Sequence, residues 1–447
     1  MPLFLLILIT AVSFSAVQQV NASESAGVLF RDVRVFDGRS DTLTPPMDVL
    51  IRENLIAAIG PSLKVDGQAV VIDGSGRTLM PGLIDVHVHM TFSALSMLQL
   101  LAPDLSPTVA EKISAEGAEA MLMRGFTSVR DMGGPVWGLK AGIDAGRYTG
   151  PRIWPSGATI SQTAGHGDMR LPHERSRRFF GEISRAEQLG ATFIADGRDE
   201  VLTATRENLR FGASQIKLMA GGGTSSAYDP VDVTQYTLDE MRAAVEAAED
   251  WGTYVTVHAY TPRAIRRAIE AGVKSIEHGQ LLDEPTLKLI AKRKIWLSTQ
   301  MLMADSENMD PLRRQKRKPV IEGQEWLWPT AKKLGVKLAW GTDFLFEPEI
   351  NQEQNSYLLR LSPWFTSAEI LRLVTHDNAQ LLALSGNRNP YPGTLGVVEA
   401  GALADLILVD GDPLADLSLL ANPEEKFVVI MKNGVIYKNS LTTETSE

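Results

Sequence analysis

The amino-acid sequence predicts an α/β fold in which a (β/α)8 TIM barrel is joined to a small composite β-sandwich built from both chain ends. Three observations favour this fold class. The middle of the chain alternates apolar, strand-like runs with amphipathic helical stretches, which is the pattern of repeated βα units in a parallel sheet. The strand-like runs number eight, the number that closes such a barrel. The two chain ends share short alternating runs separated by Gly, Asp and Pro.

Length and composition agree with this architecture and exclude several partners and chemistries. A chain of 447 residues accommodates a barrel of about 250 residues or more together with a smaller domain. The formal net charge is −10 and no Lys/Arg tract resembles a nucleic-acid footprint, so we expect no nucleic-acid partner. Because the chain has no cysteine, disulfides and thiolate ligands are excluded, and any metal must be held by nitrogen and oxygen atoms.

Residues 1–22 are predicted to be a signal peptide. The run "FLLILITAVSFSAV" is apolar but short for a membrane span, and the small residues Val20 and Ala22 predict cleavage after Ala22. The segment carries no Lys or Arg, and a membrane anchor or a buried helix are the alternatives. We expect a periplasmic or secreted protein with no membrane attachment in its mature form.

The β-sandwich is predicted from two separate parts of the chain. Residues 23–79 contain "VLFRDVRVFDG" and "MDVLIREN", which indicate short antiparallel strands joined by turns. Residues 386–447 show the same pattern of short strands and turns in "ADLILVDGD" and "KFVVIMKNGVIYKN". We expect the two parts to pair with each other.

The barrel is predicted over residues 80–385. Its helical stretches include "TLDEMRAAVEAAEDWG" and "PTLKLIAKRK", which have the spacing of amphipathic helices. The eight predicted strands are 83–89, 126–132, 152–160, 215–220, 254–260, 275–279, 295–300 and 337–344.

Residues able to bind a metal stand at the ends of several predicted strands. In "LIDVHVHM", His87 and His89 lie on one face of the first strand because alternate side chains point the same way. Four further strands end in one such residue: Lys217, His258, His278 and Asp343. The C-terminal ends of barrel strands meet on one face, so residues far apart in sequence can surround one site. An isolated H-x-H pair is equally compatible with two exposed polar residues, and a lone lysine with a side chain that extends to the surface.

This arrangement resembles the amidohydrolase superfamily of metal-dependent hydrolases. That superfamily has H-x-H after strand 1, a carboxylated Lys after strand 4, His after strands 5 and 6, and Asp after strand 8, and all six positions match. The resemblance implies that His87, His89 and Asp343 hold one divalent ion and that His258 and His278 hold the other. It also implies that Lys217, carboxylated by CO2, bridges the two ions. Zinc suits these ligands best, with manganese or cobalt as alternatives.

Five segments resemble one branch of the superfamily, the Xaa-Pro and related dipeptidases. They are "PGLIDVHVHM", "GFTSVRDMGG", "TAGHGD", "IKLMAGGG" and "VHAY". This branch is related to imidazolonepropionases but carries a two-metal site. Related deaminases have a Glu shortly after the strand 5 His, whereas "VHAYTPRA" has none after His258. The sequence therefore favours a two-metal hydrolase over a deaminase.

The resemblance implies a mechanism with residues in named roles. Two ions about 3.5 to 4 Å apart share a water and lower its pKa toward about 7, and the resulting hydroxide attacks an amide carbonyl. Asp343 accepts the proton and passes it to the departing amine. A neutral donor helps to polarise the carbonyl, and the candidates are His166 in "TAGHGD" and Tyr228 in "GGGTSSAYDP". His166 is alternatively a turn residue, and Tyr228 alternatively packs on the barrel rim.

The expected substrate is a small-molecule amide whose amide bond lies next to a carboxylate-bearing group. Dipeptides that end in proline or another residue fit best, and bulky N-acyl amino acids, including aromatic amides of the ochratoxin kind, form a second set. A cyclic amide or lactone hydrolase is an alternative on the same metal centre. A non-catalytic binding protein with this fold is a further alternative, and a homo-oligomer is compatible with all of them. Arg130 and Asp131 are expected to brace the second strand, and His376 to be structural.

Overall fold

The computed structural model describes residues 27–65, 69–302, 305 and 309–441. The predicted signal peptide, residues 1–22, lies outside the described residues. Within the described part of the chain, no helix combines the length and the apolar character that a membrane span requires.

The first five strands begin the chain's outer sheet. They are β1 (Val28–Val35), β2 (Met47–Arg52), β3 (Leu55–Gly60), β4 (Val70–Asp73) and β5 (Thr78–Pro81). β1, β2 and β3 pair antiparallel as predicted. The prediction of antiparallel strands is wrong for the pairing of β4 and β5 with β1, which is parallel in both cases, although β5 also pairs antiparallel with a later strand. They lie end to end along β1, because a turn with positive φ at Ser75 and Gly76 interrupts one extended stretch.

Ten strands follow in the middle of the chain. They are β6 (Leu83–Val88), β7 (Phe126–Asp131), β8 (Arg152–Pro155), β9 (Thr159–Ser161), β10 (Thr192–Ile194), β11 (Ile216–Met219), β12 (Val255–Ala259), β13 (Ser275–His278), β14 (Trp296–Thr299) and β15 (Lys337–Trp340). All eight predicted strands coincide with at least one of them. The predicted strand 152–160 is two strands, because Gly157 adopts a φ of 76° that ends β8. The predicted strand 337–344 stops at Trp340, so Asp343 stands in the loop beyond β15.

These ten strands form two parallel sheets. One has the order β6-β7-β8 and the other β10-β9-β11-β12-β13-β14-β15. The sheets meet on one side where the Asp343 N–H donates to the His87 carbonyl at 2.8 Å, and on the other where the Ser214 N–H donates to the Pro155 carbonyl at 2.8 Å. The predicted α/β architecture with parallel strands is confirmed, and the carboxyl ends of the strands lie on one face.

Helices connect the strands and cover the sheets. They are α1 (Met97–Leu100), α2 (Pro107–Met123), α3 (Trp137–Asp144), α4 (Arg177–Phe180), α5 (Arg185–Gln188), α6 (Arg198–Arg210), α7 (Leu238–Asp250), α8 (Pro262–Ala271), α9 (Glu284–Arg293), α10 (Pro311–Lys333), α11 (Ser356–Leu359), α12 (Ser367–Arg372), α13 (Asn378–Leu382) and α14 (Pro423–Lys426). The sequence fixes their ends locally. α7 begins with a capping box between Thr237 and Glu240, and α8 is capped by Thr261 at its start and by the left-handed Gly272 at its end.

The last three strands complete the outer sheet. They are β16 (Leu406–Val409), β17 (Phe427–Lys432) and β18 (Val435–Asn439). β16 pairs antiparallel with β5, so strands from both chain ends belong to one sheet. β5 runs across the predicted domain boundary at residues 79 and 80. A buried ion pair joins Arg152 of β8 to Asp405 before β16, with Nε and Oδ2 2.9 Å apart.

Candidate metal centre

All six residues predicted as metal ligands line one cavity of about 420 Å³. His87, His258 and His278 extend from the carboxyl-terminal parts of their strands, Lys217 is the second residue of β11, and His89 and Asp343 lie in the loops beyond β6 and β15. The histidines and Lys217 are at most 4% exposed, and Asp343 is partly buried. The parallel strands therefore bring together side chains that are up to 256 positions apart in the sequence, from 87 to 343.

The Asp343 carboxylate lies at the centre of this group. Its Oδ1 is 3.2 Å from His87 Nε2 and 3.1 Å from His89 Nε2, and its Oδ2 is 3.9 Å from His278 Nδ1. The ligand atoms of His87, His278 and Asp343 all lie within 4.8 Å of one another. His278 and Asp343 have φ angles of 79° and 55°, which are unusual for residues other than glycine and recur at functional sites.

In three of the histidines, one ring nitrogen makes a hydrogen bond that is directed away from the centre. His87 Nδ1 lies 2.9 Å from the Glu277 carboxylate, and His89 Nδ1 lies 3.0 Å from the Gly133 carbonyl. His258 Nε2 lies 3.0 Å from the Gly222 carbonyl. Because these oxygens can only accept, the nitrogens must donate, and the other nitrogen of each ring keeps its lone pair.

The donor set fits a cation. His87 Nε2 is buried, makes no hydrogen bond and stands 3.2 Å from a carboxylate oxygen of Asp343. Two atoms that both offer lone pairs repel each other at this distance unless a positive charge lies between them. Imidazole nitrogens and carboxylate oxygens are ligands that divalent transition metals accept. The residues present therefore suit a bound divalent ion.

The protonation states also suit metal binding. Burial lowers the pKa values of His258 and His278 well below the ordinary value, which keeps both imidazoles neutral. Burial raises the pKa of the Asp343 carboxyl, but the neighbouring histidines lower it further and hold it well below its usual range. The centre thus presents two neutral imidazoles, those of His258 and His278, together with an ionised carboxylate.

Lys217 is the one predicted ligand whose unmodified side chain does not suit a metal. It is 1% exposed on β11, and burial lowers the pKa of its amine to about 8. A lysine with a lowered pKa spends a larger fraction of time as the neutral amine, which is the form that reacts with carbon dioxide. Its burial is therefore compatible with the predicted carbamate.

His166 lies against His258, one of the predicted ligands. Its ring stacks on the His258 ring with centroids 4.0 Å apart, and its Nδ1 is 2.9 Å from the Ser226 hydroxyl. Burial lowers the pKa of His166 to about 4, so the imidazole is neutral at neutral pH. A Cβ on Gly223 would stand 2.0 Å from His166 Nδ1, so the glycine at this position permits the close approach.

Tyr228 also lines the cavity but is directed differently. Its hydroxyl donates to the Arg170 carbonyl at 2.7 Å, and its side chain is largely exposed. That hydrogen bond uses the proton that the predicted donor role requires. In this arrangement Tyr228 joins two loops at the rim of the cavity, which is the alternative the sequence left open.

Two residues near the centre escaped prediction from the sequence. Tyr260 is buried and packs edge-on against the His258 ring with centroids 5.1 Å apart. Its position two residues after His258 was a usable signal, because alternation places both on one strand face. Glu277 was hidden, since alternation assigns it and the adjacent His278 to opposite faces. The positive φ at His278 breaks that alternation.

The residues expected to be structural lie outside the cavity lining. Arg130 donates to the Val86 carbonyl at 2.6 Å and to the Glu277 carboxylate at 2.7 Å. Asp131 accepts from the backbone N–H groups of Met90 and Gly133, so both residues brace β7 as expected. His376 lies in a helical segment, where its Nδ1 contacts Asp377 at 2.8 Å.

The cavity wall contains one apolar cluster. The Phe92 ring lies between His89 and Phe346, with centroids 5.5 and 5.4 Å away. Residues of this cluster that line the cavity are Phe92, Met97, Leu101, Met169, Leu345 and Phe346. Polar lining comes from the loops that carry Arg170, Ser226 and Tyr228. Arg170 is paired with Asp168, with Nε and Oδ1 2.8 Å apart.

A family model described as the amidohydrolase family matches residues 78–438. The chain belongs to the amidohydrolase family. The prediction of a hydrolase that acts on carbon–nitrogen bonds is confirmed at the level of this family. Its members depend on metals, which agrees with the His/His/Asp group described above.

Known amidohydrolases resemble the chain over most of its length. Ochratoxinase from Aspergillus niger is 29% identical over 404 residues, which cover 87% of this chain and 82% of that protein. A crystal structure described as an amidohydrolase is 34% identical with a TM-score of 0.85, and covers 93% of this chain and 100% of its own. A prolidase crystallised with N-methylphosphonate-L-proline is 33% identical with a TM-score of 0.84 and the same coverage.

Proposed function

We propose that the chain is a two-metal amide hydrolase that releases an amino acid from dipeptides and from bulky N-acyl amino acids. One observation carries the proposal. Six residues able to bind metal, on five separate strand ends or the loops beyond them, converge on one largely buried centre at the floor of a cavity. Amide hydrolysis by this family and the likeness to ochratoxinase and prolidase support the substrate class.

We also propose that the two parallel sheets close into a (β/α)8 barrel that bears a composite β domain. The hydrogen bonds from Asp343 to His87 and from Ser214 to Pro155 support closure, because they join the sheets on both sides. Pairing of β5 with β16 supports a β domain made from both chain ends. In a closed barrel, the centre lies at the C-terminal face, where barrel enzymes carry their active sites.

Two divalent ions, preferably zinc, are proposed at the centre. His87, His89 and Asp343 would hold one ion, His258 and His278 the other, and carboxylated Lys217 would bridge them. When bound, such a pair supplies hydroxide at neutral pH and withdraws electron density from the substrate carbonyl. The outward hydrogen bonds of His87, His89 and His258 support this assignment, because they leave one nitrogen of each ring free to bind.

The proposed roles of the protein's own groups follow from their protonation states. Asp343, ionised and central, accepts the proton of the attacking water and delivers it to the departing amine. His166, neutral and stacked on His258, donates a hydrogen bond to the carbonyl oxygen as negative charge develops there. The cluster around Phe92 and Phe346 would receive an apolar acyl group.

A substrate panel tests this proposal. The protein is loaded with zinc and bicarbonate and assayed against Xaa-Pro dipeptides, other dipeptides, N-acyl amino acids with aromatic acyl groups, cyclic amides and lactones. We expect the highest kcat/KM on amides that join an apolar acyl group to an amino acid. Turnover of cyclic amides or lactones alone would favour the alternative hydrolase, and a protein inert to the whole panel would overturn the proposal.

We propose export for the chain on the basis of residues 1–22. The apolar run and the small residues before Ser23 support it. Expression of the full chain in a bacterial host, followed by fractionation and N-terminal sequencing, tests this. We expect mature protein outside the cytoplasm that begins at Ser23, and an uncleaved cytoplasmic protein would contradict it.

A further inference from the structure

A buried ion pair lies directly beside the candidate metal centre and takes no part in the proposed reaction. Glu277 and Arg130 are both fully buried, with Oε1 of the glutamate 2.7 Å from Nη2 of the arginine. Arg130 uses its other nitrogens elsewhere, since Nε donates to the Val86 carbonyl and Nη1 to the Tyr254 hydroxyl. The guanidinium therefore holds only one of the two carboxylate oxygens.

The two oxygens of Glu277 serve different partners. Oε1 accepts from Arg130, from the Thr256 hydroxyl at 2.5 Å and from the Ser275 hydroxyl at 3.1 Å. Oε2 faces His87 Nδ1 at 2.9 Å. An ion pair in the interior costs desolvation energy and is poor evidence of stabilisation by itself. The donors to Oε1 leave Oε2 to contact His87, which indicates that Glu277 acts on His87.

A second group competes for the same nitrogen of His87. The Gln300 side-chain Nε2 lies 3.1 Å from His87 Nδ1 and also 3.1 Å from the Ser298 carbonyl, which fixes that end of the amide as the donor. A carboxylate beside Nδ1 favours a proton on Nδ1. An amide N–H beside Nδ1 favours a bare Nδ1 and moves the proton to Nε2. Each ring nitrogen of His87 faces a carboxylate, and Glu277 prevails because its oxygen lies closer to Nδ1, at 2.9 Å, than the Asp343 oxygen lies to Nε2, at 3.2 Å.

We propose that Glu277 is a positioning residue that holds the His87 proton on Nδ1 and so presents the Nε2 lone pair to a metal ion beside Asp343. The inference rests on the proposed function, which supplies the metal. Without the carboxylate, Gln300 donates to Nδ1, the proton moves to Nε2, and an N–H group points at the site that a cation would occupy. Arg130 acts on His87 only indirectly, because its ion pair with Oε1 orients the Glu277 carboxylate.

The experiment measures zinc affinity by competition with a chromogenic chelator, together with the thermal midpoint of the metal-free protein. The variants are Glu277→Gln, Gln300→Met and the double variant. Asp405→Asn is the matched control, because it breaks another buried arginine–carboxylate pair, Arg152–Asp405, outside the cavity. We expect zinc affinity to fall about 10- to 100-fold in Glu277→Gln. We expect it unchanged in Gln300→Met and Asp405→Asn.

In Glu277→Gln, the amide oxygen must remain beside Arg130, which can only donate, so the amide N–H group faces His87 Nδ1. The double variant should therefore lose as much zinc affinity as Glu277→Gln, and the Asp405→Asn control separates this loss from a general effect on structure. Wild-type affinity in Glu277→Gln, or an equal loss in Asp405→Asn, would overturn the proposal. Failure of the wild-type protein to bind zinc would overturn the proposed function instead.

A measurement on the wild-type protein needs no variant. Nitrogen-15 spectra of metal-free protein labelled at histidine, assigned with a His87→Gln variant, report which ring nitrogen is protonated. We expect the proton of His87 on Nδ1. A proton on Nε2 would contradict the inference, whatever the activity of the loaded enzyme.

Discussion

At the scale of single residues, the candidate centre works by controlling which atoms carry protons. The imidazoles of His258 and His278 are neutral because they are buried, whereas the pKa of the Asp343 carboxyl is held well below its usual range because the effects of His87 and His89 outweigh burial. His87 Nε2 faces the Asp343 carboxylate with no hydrogen bond. These states are those of metal ligands, and each depends on a contact that one substitution can remove.

Lys217 provides the first prediction at this scale. Replacement by Ala removes the group that we propose to bridge the ions, so Lys217→Ala should lose both bound metal and activity. A short carboxylic acid such as propionate should restore part of each by taking the place of the carbamate. Metal analysis and activity assays with and without the acid check this.

The matched control for that prediction is a second buried lysine. Burial lowers the pKa of Lys432 in β17 to about 8, as it does for Lys217, but Lys432 donates to the Gly150 carbonyl away from the cavity. Lys432→Ala should lower stability and keep its metal. Unchanged metal content in Lys217→Ala would refute the bridging role.

His166 provides the second prediction. Phe at this position retains a ring that can stack on His258 but has no N–H to donate. We expect His166→Phe to lower kcat about 10²- to 10³-fold, the usual loss for one oxyanion donor. Metal content and KM should change little, and His376→Gln, outside the cavity lining, should behave as wild type. A kcat within a few-fold of wild type would exclude the donor role.

At the scale of elements, the loops beyond the strands determine where His166 and the apolar wall of the cavity lie. The loop after β11 passes so close to His166 that only glycine fits at position 223. The same loop presents Ser226 to His166 Nδ1. Phe92 follows β6 and Phe346 follows β15, so two further loops build the apolar part of the cavity wall.

Gly223→Ala tests this role of the loop. The new methyl group would stand 2.0 Å from His166 Nδ1, so the loop or the imidazole must move. We expect kcat to fall at least tenfold, because the proposed donor is displaced, while the thermal midpoint stays within a few degrees. Gly117→Ala is the control, since its Cβ would make only an ordinary 3.8 Å contact in helix α2. Full activity of Gly223→Ala would show that His166 needs no fixed position.

At the scale of the whole molecule, the sequence predicted those features that repeat. Parallel strands and helices recur along the chain with regular hydrophobic spacing, so nine of the ten strands could be located, all but β10, and six residues assigned to one face. The ends of the chain were less predictable. Parallel pairing of β4 and β5 with β1 depends on how the chain recrosses the sheet, which alternation along a strand does not encode.

The site features that the sequence did not predict also lack a repeating sequence pattern. Glu277 is adjacent to His278, and only the left-handed backbone at His278 turns both toward the centre. The hydrogen bond of Tyr228 to the Arg170 carbonyl depends on two loops whose shape has no sequence period. Such features are set by tertiary contacts and had to be found in the structure.

The central claim is that two divalent ions at this centre support amide hydrolysis. Stepwise addition of zinc to metal-free protein, in the presence of bicarbonate, tests it most directly when bound metal and hydrolysis of an N-acyl amino acid are measured in the same samples. We predict that activity rises until two equivalents are bound per chain and then levels off. Full activity at one equivalent, or in protein that binds only trace metal, would contradict the account.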